Sequence, residues 1–434
     1  MVFEPSEYRA IPPTDFLSWL FDGVVDLEKD ILIDAVDDQN RLNTRQAVSL
    51  VRRIIAGLRA AGLRPGDAVC VHVFNHVLYP IIYFAIIGAG GIFVGSNPAY
   101  KASEMSHLLT ITRPTFIVVE DNLLADILPS LQGVISPSCT FIFSVDAEPI
   151  VVEGYRWWSS LLCHGEQDWI RFEDARRAKS TIATYLSTSG TTGLPKVAAT
   201  SHYALVAAGV SMQHSNSEYF QVSQLICLPL FHAFGASFVQ ISAFRHGTRT
   251  YIMRRFDSEV FTSMVDRYNI TDIAAVPALL ANIVKQKISP LVIGSLRRVW
   301  CAGAPLSSAL RDAMYGLLHE EAIISQVWGL TEFGRITSSG WDTKDRSGSV
   351  GSLLSNVEAR VVDEQGSEIS DQGVHGELQV RGPSLMNGYF NRAADTAKAF
   401  DGDWLRTGDL GYIKQGNVYI SGRLKVLLDL VLLR

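Results

Sequence analysis

The sequence has no surplus of positive charge: 38 lysines and arginines stand against 44 aspartates and glutamates, a net charge of -6. A nucleic-acid footprint needs a basic stripe, so no nucleic-acid partner is expected. No block of like charges marks an interaction tail. Cysteine is scarce as well. The five present (Cys70, Cys139, Cys163, Cys227 and Cys301) form no CxxC pair. That excludes the spacing of a zinc site and of a disulfide frame, and predicts free thiols in a reducing compartment. The first residues, MVFEPSEYRAIPPTDF, lack an apolar signal-peptide core, and the final LLR is not a peroxisomal address. The expected location is cytoplasmic. Internal repeats and low-complexity segments are also missing.

Charge is absent locally too. No Asp, Glu, Lys or Arg occurs in residues 68–100, and VLYPIIYFAIIGAGGIFVG within them is long enough to span a bilayer. Asn75, His76, Pro80, Gly88, Gly90 and Gly91 interrupt the run, and SNPAY closes it with turn chemistry. The segment reads as a buried helix and a following strand of a large core. No transmembrane span is expected, and association with a membrane surface stays open.

What is present is globular. Hydrophobic residues make up 47% and charged residues 19%, and 434 residues suffice for two or three layered units. Residues 44–62 set Val51, Ile54, Ile55 and Leu58 beside Arg52, Arg53 and Arg59 at helical spacing, with Gly62 as the stop. RPGDAVCVHV, RPTFIVVED, QLICLPL, DIAAVPA and SLRRVWCAGAP read as strands alternating with helices. Such alternation predicts an α/β fold with helix-covered, parallel sheets over residues 1–340. From 341 to 421 the texture changes to short strands between Gly, Asp and Asn turns, which predicts a smaller β-rich subdomain, a distorted barrel.

The strongest chemical signal is YLSTSGTTGLPK, residues 185–196. Small residues let the backbone approach an anion and turn its N–H groups toward it. The hydroxyls of Thr188, Ser189, Thr191 and Thr192 add donors around Gly190 and Gly193, and Lys196 adds a charge behind Pro195. The segment reads as a polyphosphate loop. It is not GxxxxGK[ST], because its glycines stand three apart and no Ser or Thr follows the lysine.

This loop resembles the signature of the adenylate-forming (AMP-binding) superfamily. Other stretches match in order: LPLFHAFG (228–235), CAGAPLS (301–307), QVWGLTE (326–332), GELQVRGPSLMNGYFN (376–391), DWLRTGDLGYI (403–413) and SGRLK (421–425). Together they resemble 4-coumarate–CoA ligase-like acyl-CoA synthetases of fungal type. The resemblance implies two helix-covered sheets plus a smaller distorted barrel. It implies ATP-dependent conversion of a carboxylic acid, aryl or medium-chain, to an acyl-adenylate and then an acyl-CoA, with ATP, Mg²⁺ and CoA taking part.

Roles follow from the resemblance. Thr188, Ser189, Gly190, Thr191, Thr192, Gly193 and Lys196 would hold the β- and γ-phosphates. Thr331 would bond the α-phosphate, and Glu332 would coordinate Mg²⁺. Lys196, Thr331 and Glu332 form the catalytic set. Gly303, Ala304 and Pro305, with Gln326, Val327, Trp328 and Gly329, would wall the adenine and the acyl group. Asp409 would accept the ribose hydroxyls, while Arg423 and Lys425 would reach the nucleotide. His232, Phe234 and Phe238 would border the acyl tunnel, and Arg255 would meet the CoA phosphates. Blander alternatives stand beside four of these: Asp409 as a turn former, Glu332 as a structural cap or ion-pair partner, His232 as a satisfied core histidine, and Arg255 as an ordinary surface arginine.

Three departures from the family pattern bear on this. Val197 follows the loop lysine, and Val327 follows the Gln of QVWG, where the family usually has glycine; both bear on substrate size. SGRLK resembles the hinge to a mobile C-terminal domain, yet only nine residues follow it. The expectation is therefore an N-terminal domain over 1–421, a hinge remnant at 422–434, no C-terminal domain and impaired acyl-CoA formation. Two other readings stay open: a non-catalytic nucleotide-binding relic, and an adenylation module that loads a carrier protein.

Overall fold

A computed structural model describes residues 1–24, 26–144, 154–188, 195–212, 221–340 and 344–424. Two of its three large sheets are largely parallel. In the first, Ile182–Ser187, Ile92–Gly95, Ala68–His72, Phe116–Glu120, Thr140–Phe143 and Arg156–Trp157 lie side by side in parallel. Val197–Ser201 and Gly388–Tyr389 extend that sheet antiparallel at one edge. In the second, Ile323–Gln326, Arg298–Cys301, Asp272–Ala275, Ser223–Ile226, Arg249–Ile252 and Asp30–Asp34 are parallel, and Arg41–Asn43 folds back on the edge. The alternation of apolar strands and helices in the sequence leads to this arrangement, since parallel neighbours require helical crossovers.

The charge-free run is the centre of the molecule. Helix Tyr79–Gly88 is buried along its whole length, and Ala68–His72 and Ile92–Gly95 are the strands flanking it in sequence. One apolar core takes in Ile81, Phe84 and Ile86 of this helix, Val69, Val71 and Phe93 of the first sheet, and Leu225, Ile226 and Ile252 of the second. A helix covered on every side needs no polar face. Among the described residues no helix is long and apolar enough to cross a membrane. Helix Thr44–Ala60 lies beside it and is amphipathic, opened by a capping box of Asn43 and Gln46.

Asn75 locks the two parallel sheets together. Its side-chain amide donates to the carbonyls of Leu228 (2.9 Å) and Met253 (3.1 Å), and its oxygen accepts from Leu230 N–H (2.9 Å). Three bonds from one buried amide fix the carboxyl ends of neighbouring strands in both sheets, and that end of a parallel sheet is where ligands bind.

The third sheet is antiparallel and open. Its order is Val2–Phe3, Glu358–Val362, Gly376–Arg381, Trp404–Lys414, Asn417–Arg423, Ser352–Leu353, Thr337–Ser338, with Phe400–Asp401 paired to Trp404–Lys414. The β-rich layer thus also takes strands from the amino terminus and from just before residue 340. All five cysteines are free, and burial pushes the thiols of Cys70, Cys227 and Cys301 up to about 12.

Candidate active site

The polyphosphate-loop segment joins two strands of one hairpin. Ile182–Ser187 leads in, Val197–Ser201 leads out antiparallel to it, and Thr188 N–H donates to the Lys196 carbonyl at 2.8 Å. Thr188 is buried at the base of this hairpin. Ser189, Gly190, Thr191, Thr192 and Gly193 lie outside the described residues, as does Lys425. The hairpin sits at the carboxyl end of the parallel strands of the first sheet. Val197 packs into an apolar cluster with Tyr185 and Ala199, so the core takes up its bulk.

Lys196 is half-buried. Its Nζ lies 3.5 Å from Asp395 Oδ1 and 4.7 Å from the centre of the Tyr389 ring. The Tyr389 hydroxyl donates to Glu332 Oε1 at 2.7 Å. Burial, then the charge of Glu332 and this hydrogen bond, raises the Tyr389 pKa, so the phenol keeps its proton and donates. Segment 386–390 holds the arrangement. Met386 N–H bonds the Glu332 carbonyl, while Asn387 and Phe390 N–H bond the Ala199 and Val197 carbonyls, each at 2.8 Å. Thr331 and Glu332 occupy the turn of a small hairpin whose arms are Gly329–Leu330 and Gly334–Arg335.

A second acidic group lies in the third sheet. Asp409 is buried and faces Arg423 across the register of Trp404–Lys414 and Asn417–Arg423. Arg423 Nε lies 2.7 Å from Asp409 Oδ1, and Trp328 Nε1–H donates to Oδ2 at 2.8 Å. A carboxylate has about four acceptor positions, so roughly two remain for a ligand. Burial raises the Asp409 pKa, opposed by the Arg423 charge and the Trp328 hydrogen bond.

The remaining residues line the carboxyl edge of the second sheet. Gly303, Ala304 and Pro305 are exposed after strand Arg298–Cys301, with Gly303 at φ 85°. Gln326 braces them, accepting from Leu306 N–H at 3.2 Å and donating to the Ser349 carbonyl at 3.3 Å. Val327 is buried in the cluster that holds Phe238 and Trp300. Phe234 meets Phe238 edge-on with centroids 5.4 Å apart, and Phe238 lies 6.1 Å from Trp300. Phe238 opens a π-helical turn, Phe238–Ala243, a geometry common at functional sites. His232 is accessible and caps helix Ala233–Ser237: its Nδ1 accepts from Phe234 N–H at 3.3 Å. Part of the residue is open to solvent, but protein packed around the ring desolvates it and lowers its pKa, which favours the neutral ring with its proton on Nε2. Arg255 is exposed, beyond the end of strand Arg249–Ile252, while neighbouring Arg254 ion-pairs with fully buried Glu120.

Comparison with known proteins gives this geometry a family. The model of the family described as AMP-binding enzyme matches residues 26–390. The chain belongs to the AMP-binding enzyme family. It is 37% identical over 420 residues to an acyl-CoA ligase, azaF, of Aspergillus niger, covering 95% of this chain and 79% of that protein. A phenylacetyl-CoA ligase, epaB, of the same species is also 37% identical over 420 residues, covering 95% and 78%. Among solved structures, ATP-bound MatB of Rhodopseudomonas palustris superposes with a TM-score of 0.79 at 25% identity, over 95% of this chain and 79% of that one.

In this AMP-binding enzyme, three side chains go beyond what sequence reasoning singled out. Tyr389 is the tyrosine of GYFN, and its place between Lys196 and Glu332 is legible only once the strands pair. Asp395 holds Lys196 from helix Ala393–Ala399. Arg335 lies against the rings of Phe238 and Trp300, at 5.1 and 4.8 Å. An arginine three residues after Glu332 was the available signal for it.

Proposed function

We propose that this protein is an ATP-dependent carboxylate–CoA ligase. A carboxylate oxygen of the acid attacks the α-phosphorus of ATP. The bond to the bridging oxygen of the β-phosphate breaks, and pyrophosphate leaves. The thiol of CoA, losing its proton, then attacks the acyl carbon, and AMP leaves with the electron pair of the cleaved C–O bond. No protein nucleophile is needed, so the protein's part is to position the reactants and offset charge on the phosphates.

The observation that carries the reading is the Lys196–Tyr389–Glu332 group at the mouth of the signature hairpin. It brings a phosphate-binding cation and an oriented carboxylate to one place. Lys196, the hairpin loop and Thr331 take the phosphates. Glu332 offers a hard oxygen donor suited to Mg²⁺, and its lone carboxylate fits an ion held mainly by phosphates and water. Among the described residues no cluster of three or more His, Cys, Asp or Glu could hold a metal by itself. Bound Mg²⁺ would offset phosphate charge. Asp409 takes the ribose hydroxyls through its remaining acceptor positions, with Arg423 beside it. Gly303, Ala304, Pro305, Gln326, Trp328 and Gly329 wall the base. The acyl group lies along His232, Phe234, Phe238 and Val327, a lining that favours an aryl acid. The acyl-CoA and phenylacetyl-CoA ligase relatives support the same class. Arg255 meets CoA from outside. The free cysteines accord with a reducing, cytoplasmic setting. The test is acid-dependent pyrophosphate release across a panel of carboxylic acids, followed by detection of the thioester when CoA is added.

A further inference from the structure

A cavity of about 340 Å³ opens at the amino end of the first parallel sheet. Ile92 and Ile182, the first residues of strands Ile92–Gly95 and Ile182–Ser187, lie in its wall. It is therefore at the opposite end of that sheet from the polyphosphate segment. The six residues of Ile182–Ser187, about 20 Å of strand, separate the two. Ile87, Ile170 and Phe172 add to the apolar wall, and the volume is at the small end of the range for ligand sites.

Two polar groups stand in this wall. His202 opens helix His202–Ser211 and has only 2% of its surface exposed. Its Nδ1 accepts from Phe16 N–H at 3.2 Å, and burial lowers its pKa to about 4. The ring is therefore neutral with its proton on Nε2. Among the described residues that Nε2–H has no acceptor, and a buried donor left unpaired is costly. The second group is Arg177, exposed at the mouth with its guanidinium 4.8 Å from the centre of the Phe172 ring. His202 meets the same ring edge-on at 5.1 Å. Among the described residues no carboxylate lies within ion-pair distance of the Arg177 guanidinium. Asp174 is occupied with backbone, capping helix Ala175–Ser180 through the N–H groups of Arg176 and Arg177. No acidic side chain lines the cavity. A cation and an N–H donor thus flank one ring beside an aliphatic hollow.

We propose that this cavity is a second binding site, distinct from the active site, for a medium-chain aliphatic carboxylate. The chain of the ligand lies against Ile87, Ile92 and Ile170. Its carboxylate accepts from Arg177 at the mouth and from His202 Nε2–H. The proposal stands independently of the ligase reading.

Calorimetric titration with octanoate tests it, on protein whose active site is first filled with N-phenylacetylsulfamoyl adenosine, a stable mimic of an acyl-adenylate. One octanoate per chain is expected to bind with the active site filled. Octan-1-ol, which lacks the charge, is expected to bind about fivefold more weakly or worse. Arg177→Gln, at an exposed position, is expected to keep the fold and to weaken octanoate about three- to tenfold, closing the gap to the alcohol. Ile170→Trp, which fills the cavity from a half-buried wall position, is expected to abolish octanoate binding. Binding that disappears once the active site is filled, that is unchanged in Arg177→Gln, or that fails to distinguish octanoate from octan-1-ol would overturn the proposal. So would full binding by a folded Ile170→Trp variant. Should Ile170→Trp not fold, Arg177→Gln decides alone. Failure of the mimic itself to bind would count against the ligase reading. The cavity is then judged on protein without the mimic, by the same two variants and the same outcomes.

Discussion

At the scale of residues, the account rests on a few charged contacts. Lys196→Ala and Glu332→Ala are each expected to leave the fold intact. The Lys196–Asp395 pair is half-exposed and contributes at most about 1 kcal/mol to stability. Each variant should instead weaken Mg·ATP binding by ~1.5–3 kcal/mol, or about 10- to 150-fold, which calorimetry reads directly. Tyr389→Phe keeps the ring beside Lys196 and removes the hydroxyl from Glu332. Its cost in Mg·ATP affinity should be nearer 1 kcal/mol, the scale of a single hydrogen bond. Asp409 sets a pH dependence. Its folded-state pKa is raised by burial, so its contribution to stability is present at low pH and is lost as pH rises through that pKa. Nucleotide binding runs the other way, because the ribose hydroxyls need the ionised form. AMP affinity should therefore fall on acidification at a higher pH than an ordinary carboxylate would set, and Arg423→Ala should move that fall higher still. Val327 is buried, so Val327→Gly should lower stability by about 2–3 kcal/mol while it widens the acyl side. Thermal unfolding reads the first effect, and relative turnover of bulky over small acids reads the second.

At the scale of elements, two hairpins aim the chemistry. The 329–335 hairpin is tight: a Cβ on Gly329 would come within 2.6 Å of the Gly334 carbonyl oxygen. Gly329→Ala should force its arms apart at a cost of about 1–3 kcal/mol and displace Glu332, seen as weaker Mg·ATP binding in a protein that still folds. These elements also mark what was legible beforehand. The loop, the TE pair, TGD and SGR stand out in the sequence because the glycines, hydroxyls and charges occur in dense, ordered runs. Their convergence does not. Asp409 and Arg423 are 14 positions apart and become cross-strand partners only through the register of one hairpin. Tyr389 reaches Glu332 because segment 386–390 pairs with strand Val197–Ser201 in the other layer. Arg335 looks like an ordinary charge until Phe238 and Trp300, from two distant stretches upstream, close around it.

At the scale of the whole molecule, two parallel sheets share one core around helix Tyr79–Gly88, and Asn75 fixes their carboxyl ends to each other. The composition and the strand–helix alternation foretold that layered α/β body. The reach of Val2–Phe3 into the third sheet was not legible, because a two-residue strand carries no periodicity. The body brings three separated motifs to one edge: the signature hairpin, the TE turn and the Asp409–Arg423 pair joined through Trp328. That convergence is the basis for assigning carboxylate activation to this chain, and acid-dependent exchange of labelled pyrophosphate into ATP tests it most directly. The account predicts exchange that requires both Mg²⁺ and an aryl or medium-chain acid and that collapses in Lys196→Ala and Glu332→Ala. Exchange that is absent with every acid, or that persists undiminished in both variants, would contradict it.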